Sequence, residues 1–166
     1  MESIIVNKKI YYILKLLGKG KGGYSYLVKD ENEILYVFKK IHHEKVDYYN
    51  FPEDKLSLEL NDYKTLKEVG ILMPQLIDYD YKCDALIKEY IEGYTIKELI
   101  EKNMLKESYL DQIRNIANLL KEHRLNIDYY PTNFVVKDDK LYYIDYECNE
   151  YHDEWSFDTW GIKYWK

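Results

Sequence analysis

Residues 128–147, DYYPTNFVVKDDKLYYIDYE, decide the fold of this 166-residue chain more than any other stretch. Two short runs of β-branched and aromatic residues, 134–137 and 140–144, stand on either side of Asp138 and Asp139. Runs of this kind separated by two turn-forming residues predict a β-hairpin with a tight turn. The rest of the chain can be placed relative to this hairpin.

Two acids and an amide stand near the open end of the predicted hairpin. With a two-residue turn Asn133 lies opposite Ile144, and with a turn one residue longer it lies opposite Asp145. Either register brings an amide oxygen and a carboxylate to one place, and such ligands suit a hard cation such as Mg²⁺. Asp128 precedes Asn133 closely enough to reach the same place. The alternative is a polar hairpin whose Asp and Asn side chains only satisfy turns and solvent.

The bulk composition excludes several classes of protein. A net charge of −6 argues against a broad surface for nucleic acid or for anionic membrane. No apolar run approaches the ~20 residues of a membrane span, and the N-terminus has no signal-peptide pattern. Cys83 and Cys148 lie far apart without metal-ligand spacing, which favours a reduced setting. We therefore expect a cytoplasmic protein of one compact domain or two small lobes.

The first forty residues predict a meander of three strands, 10–17, 24–29 and 34–41. Between the first two lies the glycine-rich segment 18–23, GKGKGG. A G-x-G-x-x-G segment is a weak signal alone, and the dinucleotide fingerprint would follow a strand and open a helix. Here the segment joins two strands, which favours a loop whose bare backbone can approach a ligand closely.

A lysine and a glutamate are the next candidate pair. Strand alternation puts Val37 and Lys39 on one face of the third strand. A proline and a glycine bracket a helix over about residues 52–69, and Glu59 lies on its inward face. A carboxylate on an apolar face needs a cationic partner, for which Lys39 is the natural candidate. The alternative is a solvated glutamate on the helix surface.

The remaining chain predicts further strands and helices that serve as scaffold. The ranges are strands at 75–80 and 85–90, a capping-box helix from Thr95 to about Lys102, a helix capped by Ser108, and a short helix with a Trp-rich buried side over 154–161.

The hairpin resembles the catalytic loop and metal-binding segment of protein kinases, through D-x-x-P-x-N followed by an apolar run and I-D. The resemblance implies that Asp128 is the catalytic base and that Asn133 and Asp145 hold Mg²⁺. It extends to the kinase glycine loop, the V-A-I-K lysine with its helix glutamate, the hinge that meets adenine, and the acid of a later helix. The positions that match are Gly18, Gly20 and Gly23; Val37, Lys39 and Glu59; Glu89 and Ile91; and Asp158.

The resemblance implies an α+β, protein-kinase-like bilobal fold. Residues 1–90 would form an antiparallel β-sheet N-lobe with one helix, and residues 91–166 a truncated, mostly helical C-lobe. In size the chain is similar to the small atypical serine/threonine kinases associated with KEOPS tRNA-modifying complexes. It also resembles aminoglycoside- and sugar-phosphorylating kinases.

Several positions depart from the protein-kinase pattern. Asn126 and Ile127 stand where His-Arg is usual, so a phosphorylated activation loop would find no arginine to dock on. Tyr130 replaces the lysine two residues after the base, and Ser25 replaces the apolar residue that covers adenine. The triplet 145–147 is Asp-Tyr-Glu in place of Asp-Phe-Gly, and the platform that docks a peptide is missing.

Three functions follow from the resemblance. The first is an ATP- and Mg²⁺-dependent phosphotransferase that acts on a serine or threonine of a protein, or on itself. The second is a small-molecule kinase, favoured by the missing platform. The third is a pseudokinase, a nucleotide-regulated binding module, favoured by Tyr130 and Ser25 but opposed by the retained polar set. The expected partners are ATP and a phosphate acceptor, with a regulatory protein as a further candidate; no nucleic acid bound directly and no membrane are expected.

Overall fold

The structure is a computed structural model that describes residues 1–20, 23–41 and 54–166. Its chain divides into two compact units. The first comprises Met1–Glu59 and Pro74–Tyr90, and the second comprises Leu60–Met73 and Ile91–Lys166. Within the described ranges, no helix has both the length and the apolar character needed to cross a membrane.

A six-stranded antiparallel sheet forms most of the first unit. Its strands, in the spatial order β1-β2-β3-β4-β6-β5, are β1 (Ser3–Val6), β2 (Lys9–Gly20), β3 (Gly23–Lys29), β4 (Leu35–Ile41), β5 (Leu76–Asp80) and β6 (Ala85–Glu89). The antiparallel meander expected from the sequence is confirmed, with β2 running on through the first two loop glycines. Strand β1 was not expected. It pairs with β2 through a turn at Asn7 and Lys8, whose positive φ angles of 46° and 70° suit a two-residue hairpin.

The two faces of β4 have different surroundings. Phe38 belongs to the core on one face, whose buried members are Val6, Tyr11, Val28, Phe38, Ala85 and Ile87. Val37, Lys39 and Ile41 are also buried but lie outside that cluster. Lys40 is exposed. The alternation read from the sequence is therefore confirmed.

Three α-helices are described, α1 (Lys55–Val69), α2 (Ile96–Glu101) and α3 (Glu107–Glu122). Residues 52 and 53 of the predicted first helix lie outside the described residues. Its end is as expected, because Gly70 has a φ of +100° and donates to the carbonyls of Leu66 and Lys67. Helix α1 crosses from the first unit into the second after Glu59.

The two helices of the second unit begin in different ways. Thr95 and Glu98 form the predicted capping box at the start of α2, with each side chain accepting the other residue's backbone N–H. The predicted Ser108 cap is wrong, because α3 begins at Glu107 and its N-cap is Lys106, which makes no side-chain bond. Although serine is a favoured N-cap residue, helix α3 begins two residues earlier than a cap at Ser108 would place it.

The second unit also holds short strands and 3₁₀ turns. The strands are β7 (Tyr94–Thr95), β8 (Leu125–Asn126), β9 (Phe134–Lys137), β10 (Lys140–Tyr143) and β11 (Asn149–Glu150). They form a sheet β10-β9-β7 and a pair β11-β8. Their core joins aromatic and aliphatic side chains, and its fully buried members include Leu66, Ile96, Ile113, Leu120, Phe134 and Tyr143.

The short helix predicted over residues 154–161 is wrong. The structure has 3₁₀ turns at Asp153–Trp155 and Gly161–Tyr164 instead. Ser156 between them is extended, and its hydroxyl accepts the N–H of Thr159 at 3.2 Å. Together with the N–H of Trp160, which donates to Ser156 O at 2.9 Å, this is the geometry of an N-cap, so the extended Ser156 interrupts the predicted helix and a single turn begins after it.

Candidate active site

A buried ion pair joins the sheet of the first unit to the start of α1. Lys39 Nζ on β4 donates to Oε1 of Glu59. The side chains are only 10% and 11% exposed, so solvent screens their charges little. The second oxygen of Glu59, Oε2, is buried and has no hydrogen-bond partner among the described residues. The structure thus brings together the two residues that the sequence analysis paired.

The glycines of the loop differ in what the structure requires of them. Gly20 pairs with Gly23 across the β2–β3 hairpin. A Cβ on Gly23 would lie 1.9 Å from the carbonyl oxygen of Lys40, and its φ is +147°, so the fold itself requires glycine there. Gly18 and Gly20 have nothing within 4 Å of an added Cβ. Packing among the described residues therefore does not explain why these two are glycine.

The predicted hinge positions also differ from each other. The N–H of Glu89 donates to Gln75 O at 2.9 Å, and its Oε1 accepts the N–H of Gln75 at 3.1 Å. This leaves the Glu89 N–H committed to the neighbouring chain segment. Ile91 is buried, and neither its N–H nor its C=O has a hydrogen-bond partner among the described residues. Of the two predicted hinge residues, Ile91 is thus the one whose backbone N–H and C=O are not used by the part of the chain that the structure describes.

Lys88 is a charged residue of this region that the sequence analysis missed. It is only 6% exposed, and it lies opposite Val37 in the β4–β6 ladder. Directly opposed residues of an antiparallel pair share a face, so Lys88 lies on the same face of the sheet as Val37 and Lys39. Only the pairing of β4 with β6, which are distant in sequence, could have revealed this.

The hairpin of the second unit has the two-residue turn. Phe134 lies opposite Tyr143, and the N–H of Ile144 donates to Asn133 O at 2.9 Å. Asp138 and Asp139 have φ angles of 52° and 59°, the positive values of a type I′ turn. The first of the two registers considered from the sequence is therefore confirmed, and Asp145 follows one residue beyond the pair of Asn133.

The loop before the hairpin is held by its own polar groups. Asp128 Oδ1 accepts the N–H of Tyr130 at 3.1 Å, and Asn133 Nδ2 donates to the backbone carbonyl of Asp128 at 3.3 Å. The second carboxylate oxygen of Asp128 makes no hydrogen bond with another described residue. These bonds orient the acid and the amide, and they leave Asp128 one uncommitted oxygen.

Tyr143, another residue that the sequence analysis missed, links the two ends of this region. Its buried hydroxyl donates to Glu147 O at 2.8 Å and accepts the N–H of Asp128 at a long 3.4 Å. Burial, and next the charge of Asp145, raises the pKa of the phenol well above its ordinary value. The hydroxyl therefore stays neutral and can both donate and accept.

The residues after Asp145 pack on the second-unit part of α1. The rings of Tyr63 and Tyr146 have their centroids 4.4 Å apart. The N–H of Cys148 donates to Asp62 Oδ2 at 3.3 Å, and its thiol lies 3.6 Å from Oδ1. Burial raises the pKa of Asp62 above its ordinary value, and burial together with the nearby Asp62 charge raises the pKa of Cys148 to about 12. Helix α1 therefore fixes the chain that follows the predicted metal acid.

The later acid does not hold the catalytic loop as the resemblance implied. Asp158 is exposed and makes no hydrogen bond with the loop backbone in the part of the chain that the structure describes. The indole N–H of Trp165, which is buried, donates instead to Tyr129 O at 2.7 Å. Nothing in the sequence around Trp165, which lies 36 residues after Tyr129, indicated that its indole would bond the loop backbone.

The predicted magnesium ligands fit the way in which proteins bind Mg²⁺ together with phosphates. Over residues 1–20, 23–41 and 54–166, no three His, Cys, Asp or Glu side chains form a metal-binding group. Magnesium commonly takes one or two carboxylates and completes its shell with water and substrate phosphates. The carboxylate of Asp145 and the amide oxygen of Asn133 are donors of that kind.

Comparisons with known proteins identify relatives. No protein-family model matches the chain. It is 30% identical over 153 residues to the KEOPS complex subunit Bud32 of Pyrococcus abyssi. The aligned region covers 84% of this chain and 69% of that protein. It is 25% identical over 104 residues to the probable bifunctional tRNA threonylcarbamoyladenosine biosynthesis protein of Methanobrevibacter smithii. Here the aligned region covers 61% of this chain and 18% of that protein.

The first relative and the observed elements agree on the fold. The antiparallel sheet, its lysine–glutamate pair and the small second unit with its hairpin are the parts of a truncated α+β kinase-like fold. The kinase-like fold expected from the sequence is thereby confirmed. The chain belongs to the Bud32 family of minimal kinase-like proteins.

Proposed function

We propose that this protein is an ATP- and Mg²⁺-dependent phosphotransferase that transfers the γ-phosphate to a hydroxyl group, most readily that of a protein serine or threonine. The observation that carries the proposal is the buried pair of Lys39 and Glu59. Taking two charges out of water is costly, and a hydrophobic pair of the same volume would often stabilise a fold as well. A kinase has a use for the pair, because its lysine must be held in place to contact ATP phosphates.

Each polar group has a separate role in the proposed reaction. The backbone at Gly18 and Gly20 covers the phosphates, and Lys39 neutralises their charge. Asn133 and Asp145 hold Mg²⁺, which when bound offsets the negative charge that develops during phosphoryl transfer. Asp128 takes the proton of the acceptor hydroxyl.

Bonds and protons balance in this scheme. The acceptor oxygen forms a bond to the γ-phosphorus while the bond from that phosphorus to the β–γ bridging oxygen breaks, which releases ADP. The proton of the hydroxyl passes to the carboxylate of Asp128. Its Oδ2 is suited to this because Oδ1 is already occupied by the N–H of Tyr130.

A specific observation favours the pseudokinase as the second candidate. The ring of Tyr130 packs edge to face on Tyr164 with the centroids 5.4 Å apart. The position where serine/threonine kinases carry a lysine is therefore occupied by a stacked aromatic ring that supplies no cation. A nucleotide-regulated binding module would tolerate this, whereas a phosphotransferase must neutralise the charge with its remaining groups.

Nucleotide binding and transfer are tested in one protein sample. Mg-ATP at about 100 times its dissociation constant should stabilise the protein by about 2.7 kcal/mol, seen as a rise of the melting temperature. Intact-mass spectrometry after incubation should show added phosphate, or a panel of acceptors should yield phosphorylated product. Melting without nucleotide and with Mg²⁺ alone serves as the control. No shift with millimolar Mg-ATP would contradict nucleotide binding, and a shift without transfer to any acceptor would favour the pseudokinase.

The names of the two relatives support a further part of the proposal. One is a subunit of a KEOPS complex, and the other is named for threonylcarbamoyladenosine biosynthesis on tRNA. We propose that this chain likewise works within such a complex, with a regulatory protein partner. Co-expression with the other subunits of a KEOPS complex should yield a complex that co-elutes in size-exclusion chromatography, and separate elution would contradict this part alone.

A further inference from the structure

Four aromatic rings of the second unit form a continuous series, named here the aromatic ladder. Its members in order are Tyr130, Tyr164, Trp160 and Trp155, with successive centroids 5.4, 5.2 and 5.8 Å apart. Trp155 is 53% exposed and Tyr164 is 43% exposed, while the other two are half-buried. The ladder therefore presents aromatic surface to solvent.

The core of this unit does not account for the exposed rings. Trp165 packs edge to face against both Phe134 and Phe157, and all three rings are essentially buried. Trp155 does not belong to that buried cluster, and its ring lies against Trp160 at the edge of the cluster. Exposed aromatic side chains that lie next to one another are typical of a surface that binds a ligand or another protein.

The chain segment that carries the Trp155 end of the ladder is rich in acids. Residues 147–159 contain five exposed acids and no lysine or arginine; the acids are Glu147, Glu150, Asp153, Glu154 and Asp158. Lys163 and Lys166 flank Tyr164 at the other end, and Lys121 lies over the ring of Tyr151, 5.7 Å from its centroid. The chain segment that carries Trp155 therefore has an excess of negative charge.

We propose that the Trp155 end of the aromatic ladder docks a cationic segment of a partner protein, with arginine or lysine side chains placed over the indole rings. Cations are attracted to aromatic faces, most strongly to that of tryptophan, and the neighbouring carboxylates add to the attraction. The same carboxylates repel the phosphates of nucleic acid or of an anionic membrane. A second copy of this chain would bring one set of acids against another.

The opposite end of the ladder lies next to the candidate base. Tyr130, the first ring of the ladder, donates its N–H to Asp128. The docking end at Trp155 is separated from Tyr130 by two further rings, Tyr164 and Trp160. Docking itself requires neither nucleotide nor transfer, so the proposal stands or fails independently of the phosphotransferase activity.

The three tryptophans of the chain provide the measurement, because all of them lie between residues 155 and 165. Tryptophan fluorescence of the full-length protein without nucleotide is titrated with a peptide of alternating arginine and serine. A peptide with glutamate in place of arginine and a single-stranded oligouridylate are titrated in parallel. We expect saturable quenching by the arginine peptide only, and weaker binding at high salt.

Substitutions locate the binding surface. Trp155→Ala removes the exposed ring of the docking end, and at about 0.5–1 kcal/mol for an exposed cation–π contact it should weaken binding about two- to five-fold, whereas Tyr164→Ala, at the lysine-flanked end, should weaken it less. Because Trp155→Ala also removes part of the signal, a fluorescein-labelled peptide and anisotropy serve for the variants. Glu154→Lys should weaken binding further than a neutral Glu154→Gln. Tyr79→Ser, an exposed ring of the first unit, is the matched control and should leave binding unchanged.

Four results would overturn the proposal. They are the absence of binding by the arginine peptide at millimolar concentration, equal affinity of Trp155→Ala and the wild type, preference for the oligouridylate, and concentration-dependent self-association that Trp155→Ala abolishes.

Discussion

Replacing Lys39 by methionine tests whether its buried ion pair with Glu59 contributes to the stability of the fold. The substitution keeps the length of the side chain but removes the cation, and it leaves a carboxylate that is only 11% exposed and has one oxygen without a partner among the described residues. Removing one partner of a buried ion pair costs about 3–5 kcal/mol. For a chain of this size each kcal/mol lowers the melting temperature by about 2–4 °C, so a fall of about 6–20 °C is expected.

The double variant Lys39→Met/Glu59→Leu separates the pair from the site as a whole. Replacing both charges by apolar groups of similar volume is often neutral or stabilising, so most of the lost stability should return. The control is Lys29→Met, which breaks an exposed pair of 2.8 Å whose partner Glu33 is 74% exposed. Such surface pairs contribute about 0–1 kcal/mol.

Urea unfolding of the wild type, Lys39→Met, Glu59→Leu and the double variant measures the coupling free energy between the two positions. A loss of stability in Lys39→Met as small as that of Lys29→Met would refute the reasoning, because the Glu59 carboxylate would then have other means of stabilisation. A double variant as unstable as Lys39→Met would also refute it, since the cost would come from packing and not from the unpaired charge.

Three further predictions concern other residues of the candidate site. Tyr143→Phe removes the hydroxyl that donates to Glu147 O, so the free energy of unfolding should fall by about 1–3 kcal/mol. Turnover in a transfer assay should also fall, while the affinity for Mg-ATP measured by calorimetry should stay within a few-fold of wild type. Because the pKa of Asp62 is raised, the folded protein binds this proton more tightly than the unfolded chain, and its stability falls as the pH rises from 3.8 through the raised value. Asp62→Asn should abolish this fall. In urea unfolding, the free energy of unfolding of Asp62→Asn relative to that of the wild type should therefore be higher at about pH 7 than at about pH 4. Gly23→Ala should unfold the protein at lower temperature, because its Cβ meets the Lys40 carbonyl, whereas Gly18→Ala should melt normally and weaken only Mg-ATP binding.

Local patterns predicted the elements of the fold because their causes are local. The pair Asp138 and Asp139 adopts the positive φ angles of a two-residue turn, and this fixes the register that brings Ile144 opposite Asn133. Alternation in β4 likewise follows from the strand period alone. The capping box at Thr95 is a short-range hydrogen-bond pattern that four residues specify.

The features that the sequence did not reveal depend on contacts between distant segments. Lys88 shares a face with Lys39 only because β6 pairs with β4. Trp165 holds the catalytic-loop carbonyl through a packing of the chain that the family pattern, with its acid at Asp158, did not imply. The helix predicted over residues 154–161 is wrong because Ser156, within that span, is extended and caps the single turn that follows it.

The central claim is that Asp128 accepts the proton of the acceptor during phosphoryl transfer, and Asp128→Asn tests it most directly. The control is Asp138→Asn, an exposed position in the hairpin turn whose positive φ asparagine tolerates. The measurement is transfer of radiolabelled γ-phosphate, with Mg-ATP affinity determined by calorimetry on the same samples. Asp128→Asn should lower the transfer rate about 10²–10⁴-fold with nucleotide affinity within a few-fold of wild type, and Asp138→Asn should change neither. Transfer by Asp128→Asn at the wild-type rate, or an equal loss in Asp138→Asn, would contradict the account.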